Sequence, residues 1–113
     1  MLNVPTTELL NEVIGIGNCS GAQVDKFKAF GLTAAPAPQV SAPSIQACYA
    51  NFECRLADGR LISKYDPFIW EMVKAHVASA PKYPQTLHYR GQGVFMTSGP
   101  SISRRKAFKP ERL

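Results

Sequence analysis

The chain has 113 residues, 45% of them apolar, with thirteen basic against eight acidic side chains and a formal net charge of +5. That length suits one small domain and excludes two ordinary ones, and the apolar content excludes wholesale disorder. No apolar run approaches the ~18 residues of a membrane span, and the opening "MLNVPTTELL" lacks the basic and apolar regions of a secretory signal.

The first predicted element is a helix capped by Thr6 or Thr7 and running to about Ile14. Pro5 and Glu8 suit its opening, and Leu9, Leu10 and Val13 fall on one stripe. "GIGNCSG" breaks it. A second helix is expected within "GNCSGAQVDKFKAFGL": Ser20 is a candidate N-cap, Val24, Phe27 and Phe30 share a face, and Gly31 stands where the helix would stop. The free N–H groups at such an entrance, with Lys26 nearby, would suit an anion. Residues 32–47 carry three prolines and should be extended and largely irregular, pinned by Leu32, Val40 and Ile45.

The period then changes from helical to alternating. Ala50, Phe52, Cys54 and Leu56 alternate with Asn51, Glu53 and Arg55, which predicts a half-buried strand with the apolar set inward. Asp58-Gly59 suits a tight reversal. "PFIWEMVKAHVA" predicts the strongest strand, with Phe68, Trp70, Met72, Lys74 and His76 on one face and Ile69, Glu71, Val73, Ala75 and Val77 on the other. Its start is apolar on both faces and is expected to be buried on both sides. "LHYRGQGVFMTSG" predicts one or two short strands around Gly91 and Gly93. Two helices followed mostly by strands indicate an α+β or barrel-like β domain over residues 1–102. A sheet of so few strands carries unsatisfied edges.

Residues 103–113 form a basic tail holding five of the thirteen basic residues and one of the eight acids, so the rest of the chain is near neutral. This reads as a solvated terminus, and no nucleic-acid partner is expected. Cys19, Cys48 and Cys54 are odd in number and lack metal-ligand spacing, which reads as reduced thiols in a cytoplasmic protein. No G-x-S-x-G, H-E-x-x-H or P-loop is present. "GIGNCSG" is not a dinucleotide loop, because a helix precedes it and its third glycine is displaced by one. His88, Tyr89 and Arg90 form a polar-aromatic cluster before a glycine-rich strand, a pattern that reads first as a strand end with exposed polar residues and alternatively as a surface that can stack against a flat ligand.

Taken together, "GNCSGAQVDKFKAFGLT", "APSIQACYANFECRL", "FIWEMVKAHV" and "LHYRGQGVFM" resemble the C-terminal part of the flavin reductase-like family over residues 3–97. These are the FMN-binding split β-barrel proteins that include flavoredoxin. The resemblance implies a mainly β fold with α, a six-stranded Greek-key antiparallel barrel with the helices outside. It also implies a homodimer with FMN near the interface and hydride transfer from NAD(P)H. On that basis Ser20, Gly21, Lys26, Tyr89 and Arg90 are the expected cofactor-binding residues. Three departures stand out. Met1 falls almost directly on the segment matching "LNVPTTELL", so the family's preceding strands have no counterpart. Ala22 and Gln23 replace a common Arg-Asp, which removes a guanidinium able to grip phosphate. Ser63-Lys64-Tyr65 replaces a signature ending in histidine. They raise the alternative of a truncated, non-catalytic barrel remnant stabilised by oligomerisation.

Overall fold

Strand pairing is antiparallel in every sheet of the computed structural model, which describes residues 1–107, 109 and 111. In chain order the elements are β1 (Leu2–Val4), a 3-10 turn (Thr7–Leu9) leading into α1 (Leu10–Gly17), and α2 (Lys26–Ala29). Then come β2 (Ala34–Ala35), β3 (Ser44–Ile45), β4 (Ala50–Asp58), α3 (Ile62–Tyr65), β5 (Ile69–Val77), β6 (Leu87–Gly91) and β7 (Val94–Thr97). The strands form a three-stranded sheet in the order β1-β4-β5 and two hairpins, β2-β3 and β6-β7. The mainly-strand, antiparallel class matches the expectation.

The first helix overruns its expected end at Ile14 and continues to Gly17. Glycine inside a helix costs about 1 kcal/mol relative to alanine, so packing must compensate. The Phe30 ring lies directly over Gly15, where a Cβ would meet Phe30 Cζ at 2.8 Å. Thr6 makes no side-chain cap and instead bridges to Thr86, while the Thr7 amide donates to the Gln85 carbonyl at 3.0 Å. The entry to α1 is thereby tied to the start of β6.

Residues 32–47, expected to be irregular, contain the β2-β3 hairpin with Ala34 opposite Ile45. The loop between those strands lies on β4, whose burial departs from expectation at Glu53 and Leu56, while Ala50 is buried as expected. Glu53 is 0% exposed, whereas Leu56 is 49% exposed. The alternation is correct, but the face it assigned to solvent is covered at Glu53.

β5 forms where expected, with a break in its alternation. Glu53 pairs with Lys74, yet Cys54 pairs with Met72, so Val73 is an extra residue. Such a bulge reverses the facing of the strand on its far side. Trp70 and Met72 therefore share a face with Ala75 and Val77, not with Lys74 and His76 as strict alternation implied. Nor is the start of the strand buried on both sides: Phe68, Ile69, Trp70 and Met72 are all exposed. Asp58-Gly59 does not make a two-residue reversal either. Asp58 accepts the Arg60 amide at 2.9 Å and pairs with its guanidinium, and α3 fills the connection.

The β6-β7 hairpin turns through Gly91, Gln92 and Gly93, all at positive φ, which is where glycine is favoured. The buried hydrophobic core among the described residues is thin, consisting of Cys48 and Ala50. The radius of gyration is 17.2 Å, against roughly 13 Å for a compact domain of this length. No helix among the described residues is long and apolar enough to cross a membrane.

Candidate functional site

The segment expected to be the second helix folds differently at its entrance. Residues 20–24 form a turn in which Ser20 Oγ accepts the Ala22 amide at 3.3 Å and the Ser20 carbonyl accepts the Gln23 and Val24 amides. These internal bonds use the N–H groups that an anion would have taken. The helix itself is a single turn, capped by Asp25 accepting the Lys28 amide at 3.2 Å, so Asp25 and not Ser20 is its N-cap. Its end is as expected. Gly31 has φ +62°, the Leu32 amide reaches the Phe27 carbonyl at 2.8 Å, and the Gly31 amide reaches that of Lys28. That is a Schellman stop, which favours glycine at the left-handed position.

Lys26 is not a freely solvated lysine. Its Nζ donates to the Ile16 carbonyl at 2.8 Å, one of the last carbonyls of α1 left without a helical partner. The negative end of the helix dipole favours a cation there. Gly21 lies beside this bridge: a Cβ on it would meet Lys26 Cε at 3.8 Å. Ser20, Gly21 and Lys26 are thus gathered at the C-terminal end of α1.

The other side of the same turn forms one wall of a cleft of about 400 Å³, lined by Val13, Ile14, Gly17, Asn18, Tyr89, Gly93 and Phe95. The Tyr89 and Phe95 rings are 5.1 Å apart and tilted by 49°. This aromatic pair is cross-strand, since Tyr89 faces Phe95 in the β6-β7 register. Tyr89 Oη accepts the Gly93 amide at 3.2 Å, which orients the ring. Gly17 and Gly93 leave the cleft open, with nothing within 4 Å of a Cβ at either. Arg90 is not brought into it. It is exposed, sits at the irregular step of the β6-β7 register, and its side chain makes no hydrogen bond or ion pair among the described residues. His88 faces Thr86, Nε2 to Oγ1, at 2.9 Å.

Sequence reasoning missed the most buried polar cluster. Glu53 Oε1 lies 2.6 Å from His76 Nε2, and Oε2 accepts the Gln39 amide at 2.7 Å. Arg55 Nη2 donates to the Gln39 carbonyl at 3.2 Å, so one residue of the overlying loop is held from both its N–H and its C=O. Burial pushes the Glu53 carboxyl up, but the bonds from His76 and Gln39 and the charge of Lys74 outweigh it, holding the group below its ordinary value. The one sequence cue was a glutamate flanked by apolar residues inside a strand.

The cleft suits a flat aromatic ring: two aromatic side chains and two aliphatic ones wall it, and its volume lies in the range of small-molecule sites. Lys26, bonded to the Ile16 carbonyl, is not among the residues that line it. The lining fits the flat ring of a flavin.

Comparison with known proteins gives the chain's family. The flavin reductase like domain model matches residues 1–97. An uncharacterized protein of Archaeoglobus fulgidus is 37% identical over 70 residues, covering 62% of this chain and 40% of its own length. The uncharacterized Escherichia coli protein YddH is 29% identical over 113 aligned residues, covering 88% of this chain and 59% of its own length. Among solved structures, the FMN-binding domain of a flavin reductases-like enzyme from Shewanella baltica superposes with a TM-score of 0.74 at 26% identity, covering 89% of this chain and 60% of that one. The chain therefore spans less than two thirds of the length of these relatives. With the family model matching most of its residues, and the antiparallel architecture shared with an FMN-binding neighbour, the chain belongs to the flavin reductase-like domain family.

Proposed function

We propose that this chain binds FMN in the cleft between the C-terminal turn of α1 and the β6-β7 hairpin, as a homodimer in the cytoplasm, and passes hydride from NAD(P)H to the flavin. The observation that carries this reading is the Tyr89-Phe95 pair facing Val13 and Ile14 across about 400 Å³, with Lys26 on the adjoining turn. FMN, when bound, supplies the hydride-accepting ring; the protein supplies binding and orientation. Tyr89, oriented by the Gly93 amide, gives the ring a fixed aromatic wall. Gly17 and Gly93 admit it closely. Ser20, Gly21 and Lys26 form the polar end, and Arg90 adds an exposed guanidinium on the same hairpin. The FMN-binding Shewanella domain supports the choice of cofactor.

Turnover is tested by following NADH and NADPH absorbance with the purified chain and FMN present. Oxidation above the protein-free rate supports reductase activity; none with either nucleotide ends the hydride-transfer part of the proposal. A second reading, a non-catalytic barrel held together by self-association, is favoured by the thin core and the exposed apolar side chains of β5. FMN binding without turnover would select it.

A further inference from the structure

The cleft between α1 and the β6-β7 hairpin offers hydrocarbon or bare main chain on most sides. Val13, Ile14 and Phe95 bring apolar side chains, and Gly17 and Gly93 bring backbone alone. Two side chains of the lining carry hydrogen-bonding groups, Tyr89 and Asn18. The Tyr89 hydroxyl is already engaged, accepting the Gly93 amide at 3.2 Å. Asn18 is committed only through its backbone. It is the C-cap of α1, and its amide donates to the Ile14 and Gly15 carbonyls at 3.1 and 3.2 Å. Its carboxamide is exposed and makes no hydrogen bond among the described residues. The helix end holds this backbone at φ −89° and ψ −1°, so only χ1 and χ2 remain to settle where the carboxamide reaches.

We propose that Asn18 reads the pyrimidine edge of the flavin ring, accepting from its N3–H and donating to an adjoining ring carbonyl, and so selects a flavin among flat aromatic ligands. The inference rests on the FMN reading above and deepens it. A carboxamide presents a C=O acceptor and an NH2 donor side by side. Its complement is a planar edge with an N–H next to a C=O. The pyrimidine end of a flavin is such an edge, because its N3–H lies between two carbonyls, whereas the dimethylbenzene end has no polar group. Contact with the Tyr89 and Phe95 rings favours any flat aromatic body, so discrimination has to come from the few polar groups of the lining. Asn18 is the one whose side chain is uncommitted. A site that hydrogen-bonds a ligand N–H rejects the analogue lacking it, because the protein group is then left unpaired.

The test titrates the full chain into FMN and, separately, into FMN methylated at N3, with flavin fluorescence as the readout. The methyl group removes the N3–H and leaves the aromatic faces and the phosphate intact. The wild type should bind FMN about fivefold or more tightly than the methylated flavin. Asn18→Ala should weaken FMN by about the same factor while changing the methylated flavin by less than about twofold, so that the discrimination disappears. Asn18→Gly, at an exposed position that ends a helix, should do the same and serves should Asn18→Ala fold poorly. Equal binding of the two flavins by the wild type, or full discrimination retained in a folded Asn18 variant, overturns the role of Asn18 and leaves the FMN reading standing. No quenching of either flavin overturns the FMN reading and this inference with it.

Discussion

Replacing Gly15 by alanine tests how α1 is seated on the turn that carries Lys26. A Cβ at this position would overlap the Phe30 ring, reaching Cζ at 2.8 Å and Cδ1 at 3.0 Å. Alanine favours the helix by about 1 kcal/mol over glycine, while forcing an extra methyl into a filled space costs about 1–3 kcal/mol. Gly17 provides the control, because it ends the same helix and a Cβ there meets nothing within 4 Å. Gly17→Ala should hold or gain stability. The informative quantity is the difference between the two variants, in which much of the helix preference cancels. It should be about 1–3 kcal/mol in favour of Gly17→Ala, or roughly 4–12 °C in Tm for a domain of this size. Thermal and urea unfolding monitored by circular dichroism measure it. Adding Phe30→Leu to Gly15→Ala should recover part of the loss, since the two positions touch and their effects are not additive. Gly15→Ala melting as high as Gly17→Ala would refute the close seating of α1 on Phe30.

The buried groups and the cap of α2 lead to three more expected outcomes. Because the Glu53 carboxyl is held below its ordinary value of 4.5, the stability it contributes is present above that pH and is lost as pH falls through the lower, folded value. Urea midpoints measured from pH 6 downward should therefore fall more steeply for the wild type than for Glu53→Gln; parallel profiles would contradict the clamp. Cys48 is buried, and burial pushes its thiol pKa up, whereas Cys19 and Cys54 are half-buried. Titration with an aromatic disulfide reagent, resolved by peptide mapping, should label Cys48 last in the folded protein, and early labelling of Cys48 would be inconsistent with its burial. Asp25→Ala removes the cap of α2 and should cost about 0.5–1 kcal/mol in urea unfolding. Ser20→Ala should cost less, and the reverse order would restore Ser20 as the cap.

Much of the fold was legible because its signals are local. The alternation in β4 and β5, the glycines of the β6-β7 turn and the Gly31 stop each appear within a few residues of sequence. Two features depend on distant chain and were not. The covering of Glu53 on β4 comes from the loop around Gln39, fourteen residues earlier and held to it by one amide. The extra residue at Val73 is defined only by its pairing with β4, and it overturned the assignment of Trp70 and Met72. The grouping of the candidate residues was legible in part. Ser20, Gly21 and Lys26 do cluster, and Tyr89 lies in the cleft behind the same turn of α1. The anion-binding helix entrance did not survive, because Ser20 uses the nearby amides itself and the helix starts only after Asp25. Arg90 lies outside the cleft, at the irregular step of the hairpin between Tyr89 and Gly91, and that irregularity cannot be read from alternation.

The central claim, an FMN site between α1 and the β6-β7 hairpin, is tested most directly by titrating the chain into FMN and recording flavin fluorescence. The expected result is saturable quenching by tens of micromolar protein, weakened at least tenfold by Tyr89→Ala and also weakened by Lys26→Met, both variants retaining the wild-type far-ultraviolet spectrum. Absence of quenching in that range, or quenching that Tyr89→Ala leaves unchanged, would contradict it.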